Sequence, residues 1–211
     1  FFVAAILSLA LAALFWILRE QVYLLGAGHY LLRSLAKLES SGQIPRVYPN
    51  EPMAGFLVWR IREVLEWAHL SSSHLLACQV VSSLSGLSSL LVLILISKTF
   101  TANSVERVLF TLVVFCAGSI QLFFCYVENY STVFLILLLY TYTSVLYLRG
   151  KRPLILAGGV YGLLVSFQFG MVVIGPSFMF LLAREIVRRK YFSALLSLLV
   201  ACGSFVLLLL L

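Results

Sequence analysis

Long apolar runs are the feature that most constrains how this chain can fold. Almost no charged residues interrupt the stretches at 1–18, 74–97, 107–127, 131–148 and 191–211. A helix needs roughly 20 apolar residues to cross about 30 Å of hydrocarbon, and each run meets or approaches that length. The 211 residues are 62% apolar and only 11% charged, which excludes an ordinary water-soluble domain. We therefore predict an all-α, polytopic transmembrane helical bundle.

A sixth apolar stretch, residues 154–183, is too long for a single span. It lies between two basic clusters, at 149–152 and 184–190. Basic clusters concentrate on the cytoplasmic side, so the stretch should cross the membrane an even number of times. Two short helices of about 13–15 residues, turning near 168–170, would satisfy this requirement and form a cavity wall. The bundle then has about seven spans, including this pair of short helices.

The distribution of charge gives the orientation. The segments 98–107, 149–153 and 184–190 together carry nine basic and two acidic residues, whereas the rest of the chain carries six of each. Positive charge concentrated on one side of the membrane is the expected signature of topology. It accounts for the net charge of +7, so we predict an integral membrane protein in contact with lipid and no nucleic-acid partner. The long loop 19–73 is then exoplasmic.

That outer loop contains two amphipathic patterns. The first covers residues 28–39 and the second covers residues 53–68. In the second pattern two tryptophans flank an apolar stripe, and Arg62 is expected on the opposite face. Tryptophan rings favour the boundary between water and lipid. We therefore predict amphipathic helices that lie along the outer membrane surface.

A short polar segment separates two of the apolar runs and contains Tyr126, Glu128, Asn129 and Tyr130. A charge at membrane depth costs about 2.5–3.5 kcal/mol, so such a carboxylate generally faces a cavity or a partner. The alternative is a tight exoplasmic hairpin whose polar residues rest in water and headgroups. Glutamate, asparagine and aromatic faces together are suited to polyhydroxylated ligands. Gln168, at the predicted turn, either contacts such a ligand or satisfies backbone groups released by the turn.

Other polar residues of the outer loop have two interpretations each. Glu51, just before Pro52, is either a helix-start acid that complements the dipole or a general base at the membrane surface. Arg33 and Arg60 suit a lipid phosphate or pyrophosphate, and contacts with headgroups explain them equally well. The histidines and cysteines show no spacing typical of metal ligands, so we predict no metal and no other cofactor.

Three features together resemble a known family. One is the architecture of a first helix, a long outer loop with surface helices, and closely spaced spans. Another is the run Phe124-Cys125-Tyr126-Val127-Glu128-Asn129-Tyr130, which is similar to an aromatic-Gly-Tyr-Val-Glu-Asn-Tyr pattern. The third is the stretch from Arg149 to Arg184, with Gln168 at its turn and Pro176 in its second half. The chain thus resembles bacterial GT-C-fold glycosyltransferases of the protein O-mannosyltransferase and aminoarabinose-transferase superfamily, especially rhizobial lipopolysaccharide glycosyltransferase-like members.

The resemblance implies an enzyme of the bacterial inner membrane and cell envelope. Such enzymes transfer a sugar from a polyprenyl-phosphate donor to a hydroxyl acceptor on the exoplasmic side. Residues 1–211 would form one transmembrane domain, the N-terminal part of a longer protein. Where relatives tend to read Gly-Asp-Gly before the first loop helix, this chain reads Gly26-Ala27-Gly28. The expected catalytic aspartate is therefore replaced, and Glu51 or, less well, Glu20 is the nearby substitute.

In this interpretation Glu51 deprotonates the acceptor hydroxyl, and Arg33 and Arg60 neutralise the departing phosphate. The residues expected to line the outer cavity are Tyr126, Glu128, Asn129, Tyr130 and Gln168. Two alternatives remain. The chain is either a non-catalytic relative that binds a lipid-linked sugar or a membrane transporter with an outer ligand cavity.

Overall fold

The computed structural model describes residues 52–70, 73–116 and 130–210, together with isolated positions 10, 13, 14, 16, 17, 32 and 33. Only helices and their connections occur in these ranges, which confirms the all-α class. In chain order the elements are α1 (Pro52–Trp67), α2 (His74–Phe100), α3 (Ser104–Cys116), α4 (Tyr130–Leu148), α5 (Leu154–Phe167), a 3-10 helix (Phe169–Ile174), α6 (Gly175–Val187) and α7 (Tyr191–Leu210).

Three of the described helical stretches are long and apolar enough to cross a membrane. They are α2, α4, and the 3-10 helix taken together with α6, and α5 and α7 add shorter apolar helices. The spans predicted at 74–97 and 131–148 are therefore observed as helices. The count of about seven spans stays a prediction, because most of 1–18 and the second half of 107–127 lie outside the described residues.

The chain divides into two compact units. The first contains Phe1–Val47 and Ala54–Leu135, and the second contains Tyr48–Met53 and Ile136–Leu211. Helix α4 begins in the first unit and continues into the second.

In the first unit, α2 buries a face of small residues. Ser82 and Ser89 are both at most 1% exposed, and Gly86 between them is buried as well. Ser85 Oγ lies 3.1 Å from Thr132 Oγ1 in the first turn of α4, a buried hydrogen bond. Small residues allow helices in a membrane to approach closely, and hydroxyl pairs such as this one join them.

Helix α1 confirms the helix predicted over residues 53–68 but corrects the face on which Arg62 lies. Its buried side chains include Ala54, Val58 and Arg62, so Arg62 lies on the buried face and not opposite it. The guanidinium group lies 5.2 Å from the Trp59 ring centroid and 3.6 Å from a Glu66 oxygen. A long arginine side chain can bury its stem while its charge stays paired, which a pattern of apolar residues does not predict.

In the second unit, α5 and α7 form the most extensive helix contact of the described chain. Two glycines of α5 make it possible. A Cβ atom on Gly158 would lie 2.5 Å from the backbone oxygen of Ser197, and one on Gly162 would overlap the backbone oxygen of Ala201. Because only hydrogen fits at these positions, the two backbones pack directly against each other.

Aromatic side chains connect α5 to α4 and α6. The ring centroids of Tyr140 and Tyr161 are 5.8 Å apart, and those of Tyr161 and Phe178 are 4.9 Å apart. The Tyr140 hydroxyl also forms a 2.8 Å hydrogen bond with Ser177 Oγ. Stacked and tilted aromatic pairs contribute beyond their buried area, and a buried tyrosine needs a partner for its hydroxyl.

The predicted pair of short helices is observed. Helix α5 has 14 residues and α6 has 13, with the break at Gln168. The two basic loops that bracket this pair line one pocket, with Lys151 and Arg152 from the first loop and Arg188 from the second. The chain therefore leaves this end of the unit along α5 and returns to it along α6.

We expect Gly162→Ala to destabilise the second unit by about 1–3 kcal/mol, because the added methyl group overlaps a backbone oxygen that cannot move aside. The matched control is Gly159→Ala, whose Cβ would meet Val200 at an ordinary 3.5 Å. Both changes gain the same helix propensity, so their difference isolates the overlap. Unfolding by SDS titration in mild detergent measures both, and equal midpoints would contradict the close packing of α5 and α7.

Candidate functional site

Only part of the predicted site belongs to the described chain. Arg33, Arg60, Tyr130 and Gln168 are described. The predicted residues outside the described ranges are Glu20, Glu51, Tyr126, Glu128 and Asn129. Their roles as base and cavity lining therefore stay predictions.

Two of the described residues are placed simply. Tyr130 is the first residue of α4 and is 41% exposed. It is the last residue of the predicted polar segment and begins a helix that is long and apolar enough to cross a membrane. Arg33 is helical and exposed. Helix α1 begins at Pro52, immediately after Glu51 in the sequence. The first position of a helix is the one that proline prefers.

Arg60 is engaged on the surface of α1. Its guanidinium group donates a 2.8 Å hydrogen bond to Glu63 Oε2 and lies 5.0 Å from the Phe56 ring centroid. The same carboxylate accepts a 2.9 Å hydrogen bond from Trp59 Nε1 through its other oxygen. Arg60 thus already has a carboxylate partner, which a phosphate would have to displace. The sequence alone does not predict that Glu63 and a phosphate would compete for Arg60.

The pKa of Glu63 lies below its ordinary value of 4.5, mainly because the Arg60 side chain donates a hydrogen bond to the carboxylate. Trp59 and the charges of Arg60 and Arg62 act in the same direction, and partial burial opposes them. The pair is exposed, so salt and water screen it. At pH values above the ordinary pKa of 4.5, the ionised carboxylate and its partners stabilise the helix. This contribution is lost as the pH falls through the lowered pKa of the folded chain.

Gln168 occupies the break between α5 and the 3-10 helix. Its backbone is extended, its N–H donates to the Leu164 carbonyl at 3.1 Å, and its carbonyl accepts from Met171 at 3.0 Å. Main-chain groups therefore close the break without help from the amide oxygen. That oxygen, Oε1, is buried and accepts no hydrogen bond within the described residues. Both interpretations of Gln168, a ligand contact or a partner for backbone groups released by the turn, stay predictions.

An apolar cavity of about 230 Å³ lies between α5, the 3-10 helix, α6 and α7. Its wall contains Tyr161, Val165, Val172, Phe178 and Phe205. The short-helix pair forms part of the wall of this cavity. Its lining is apolar, however, and Gln168 does not belong to it.

The described candidate residues belong to two different units. Arg33, Arg60 and Tyr130 belong to the first unit, and Gln168 belongs to the second. Within the described ranges no three side chains among histidine, cysteine and the acids come together as a metal site would require.

The sequence analysis missed a polar pocket at the basic loops. It includes Tyr147 and Glu185, which are 3% and 4% exposed. A single acid inside the basic cluster 184–190 was the available signal. Its significance depends on burial, which the sequence does not give.

No family model, curated protein or solved structure matches the chain. The function is therefore inferred from the geometry of the described residues and from the resemblance noted in the sequence.

We expect Arg60→Gln to raise the pKa of Glu63 toward 4.5, because the variant loses the charged donor that lowers it. Trp59 donates to the same carboxylate, so its fluorescence should follow the titration. The measurement uses a background in which Trp16 and Trp67 are replaced by phenylalanine. In the control Glu63→Gln the pH-dependent signal should disappear, and a midpoint that Arg60→Gln leaves unmoved would show that Arg60 does not control this carboxylate.

Proposed function

We propose that the chain belongs to a membrane glycosyltransferase that takes a sugar from a polyprenyl-phosphate donor and transfers it to a hydroxyl acceptor on the exoplasmic side. The observation that carries this proposal is the helix break at Gln168, where a polar side chain with an unsatisfied oxygen lies beside an apolar cavity. Such a place offers a polar contact for a sugar and an apolar surface for a polyprenyl chain.

The first support is the depth of the break. Helix α5 has 14 residues and rises about 21 Å, which is less than the roughly 30 Å of hydrocarbon in a bilayer. Measured along α5 from the basic loops, we propose that Gln168 lies short of the opposite surface, and the longer return stretch of 19 residues then tilts to reach the same basic end. Non-helical backbone at membrane depth occurs where it is buried in protein or lines a cavity. A break in this position is therefore suited to a lipid-linked substrate that approaches from within the membrane.

The second support is the unsatisfied amide oxygen of Gln168. A buried acceptor without a donor costs about 1–3 kcal/mol, a penalty that a ligand hydroxyl would remove. Sugars present many hydroxyl donors at one face. Membrane helices rarely bury a polar side chain that has no functional role. Where such a side chain occurs, it usually marks a substrate path.

The third support is the apolar cavity that begins just beyond the break. Phe169 follows Gln168 directly, and its ring centroid lies 5.6 Å from that of Phe205 in the cavity wall. The remaining wall is aliphatic and aromatic, which suits an isoprenoid chain and offers nothing to a free sugar. The combination favours a lipid-linked donor over a soluble one.

The remaining roles follow from the resemblance and from charge. Glu51 is the proposed base, with Glu20 as the weaker candidate, and Arg33 and Arg60 neutralise the leaving phosphate. Arg60 performs this role by exchanging Glu63 for the phosphate. The exchange is favourable because a phosphate carries more charge than a carboxylate and accepts paired hydrogen bonds from arginine. The residues proposed to line the outer cavity are Tyr126, Glu128, Asn129, Tyr130 and Gln168.

We expect Glu51→Gln to abolish sugar transfer, because the amide cannot accept the acceptor's proton. The assay follows the release of polyprenyl phosphate from a polyprenyl-phosphate sugar by protein purified in detergent. The control is Glu66→Gln, which removes an exposed carboxylate from the neighbouring helix α1. Release that Glu51→Gln leaves unchanged would reject the assignment of the base.

We expect Gln168→Leu to weaken binding of the donor by about tenfold, which corresponds to the loss of one hydrogen bond of about 1.4 kcal/mol. The variant should be at least as stable as the original protein, because it removes an unsatisfied buried oxygen. This opposite effect on binding and stability distinguishes a ligand contact from a structural role. Isothermal titration with the donor and unfolding in detergent measure the two quantities.

The control for this variant is Gly170→Ala in the same turn, where an added Cβ would meet nothing within 4 Å. Donor affinity that is equal in Gln168→Leu and the control would contradict the proposal. Binding of the donor without release would identify a non-catalytic relative. Movement of a labelled lipid between leaflets, without release, would identify a transporter.

A further inference from the structure

The basic loops of the second unit enclose a pocket that the proposed function does not use. Its volume is about 330 Å³, room for about ten water molecules. It lies where α4 and α6 end and α5 and α7 begin, so it is separated from Gln168 by the length of α5. A site in this place is independent of sugar transfer at the other end.

The charge of the pocket selects an anion. Its wall contains four basic residues and one acid. The basic residues are Lys151, Arg152, Arg188 and Lys190, and the acid is Glu185. Within the described residues, no ion pair joins any of these four side chains to a carboxylate. Four neighbouring cations without a paired anion repel one another, so a bound anion would relieve that repulsion.

The ends of the helices add to this field. Helices α4 and α6 close with the same cap, in which Gly150 and Arg189 take left-handed φ angles of 70° and 60°. In each cap two backbone N–H groups return to the last-turn carbonyls, for example Lys190 to Glu185 at 3.0 Å. The negative ends of α4 and α6 are therefore satisfied internally. The first N–H groups of α5 and α7 have no such partners in their helices, and they favour an anion.

Two neighbouring polar groups in the wall are buried and have no hydrogen bond of full geometry. The Tyr147 hydroxyl and Glu185 Oε2 are buried and make no hydrogen bond within the described residues. They lie next to each other without a well-formed hydrogen bond between them. The hydroxyl can donate to an anion, whereas the carboxylate oxygen needs a donor. A ligand that satisfies both must combine an anionic group with a hydroxyl or an ammonium group.

Exposed apolar residues neighbour the pocket residues in the sequence of the loop between α6 and α7. Val187 and Phe192 are 82% and 78% exposed, and Tyr191 is 62% exposed. Aromatic side chains beside basic residues are typical of the boundary between lipid tails and water. Basic pockets between spanning helices on the cytoplasmic side bind phosphate headgroups of lipids. The source of the anion is therefore the membrane itself.

We infer that this pocket binds the phosphate headgroup of an anionic phospholipid that carries a hydroxyl donor, of which phosphatidylglycerol is the simplest probe. Lys151, Arg152, Arg188 and Lys190 surround the phosphate. The Tyr147 hydroxyl donates to a phosphate oxygen, and Glu185 Oε2 accepts from the headgroup hydroxyl. The bound lipid would tie the loop between α4 and α5 to the loop between α6 and α7.

The test titrates the purified protein in detergent with phosphatidylglycerol and, separately, with phosphatidylcholine of the same acyl chains. Native mass spectrometry counts the bound lipids. We expect preferential binding of phosphatidylglycerol and about a tenfold loss of that preference in Arg188→Gln, which removes one charged contact with the phosphate. Lys151→Gln, on the other loop, should show a similar loss and guards against a local folding defect in a single variant.

The matched control is Arg189→Gln, which removes the same charge from the next position, whose side chain is not part of the pocket wall. If Arg188→Gln and Arg189→Gln lose the preference equally, the loop acts only by its total charge and the site is rejected. Equal binding of the two lipids by the unchanged protein rejects it as well. Displacement of the lipid by millimolar inorganic phosphate would assign the pocket to a soluble phosphate and overturn the lipid assignment.

Discussion

The direct contact between α5 and α7 is the interaction on which the described second unit depends. At Gly158 and Gly162 the space for a side chain is occupied by the backbone of α7, so the two helices are held at the smallest separation that helices allow. A membrane offers little hydrophobic force between helices, since lipid tails are as apolar as leucine. Close packing and a few polar contacts therefore have to supply the association.

This contact also determines where the two ends of the unit can differ. Helix α5 is short, packs against α7 and ends at Gln168. The main chain closes the break by itself and leaves the glutamine oxygen for another partner. At the other end the same helix contact brings the two basic loops around one pocket. One end is thus suited to a polar group from a ligand and the other to an anion.

Much of the fold could be predicted from the sequence because hydrophobic length is a local property. The spans near 74–97 and 131–148, the short pair after Arg152 and the break at Gln168 all follow from runs of apolar residues and their interruptions. The orientation of α1 could not be predicted this way. Arg62 can be buried because its guanidinium group contacts the Trp59 ring and the Glu66 carboxylate while its aliphatic stem packs in the interior. The burial of this residue depends on the packing around α1, which a pattern of apolar residues does not contain.

The sequence alone determined that the chain is all-helical and that helices near 74–97 and 131–148 are long and apolar enough to cross a membrane, because these depend on the length and hydropathy of consecutive residues. Only the tertiary structure decided which polar groups lack partners. Glu185 reads as an ordinary acid in a basic loop, and its meaning changes once it is found buried beside Tyr147 with an unsatisfied oxygen. The physical reason is that the cost of a polar group depends on what surrounds it, and burial is a property of the folded chain.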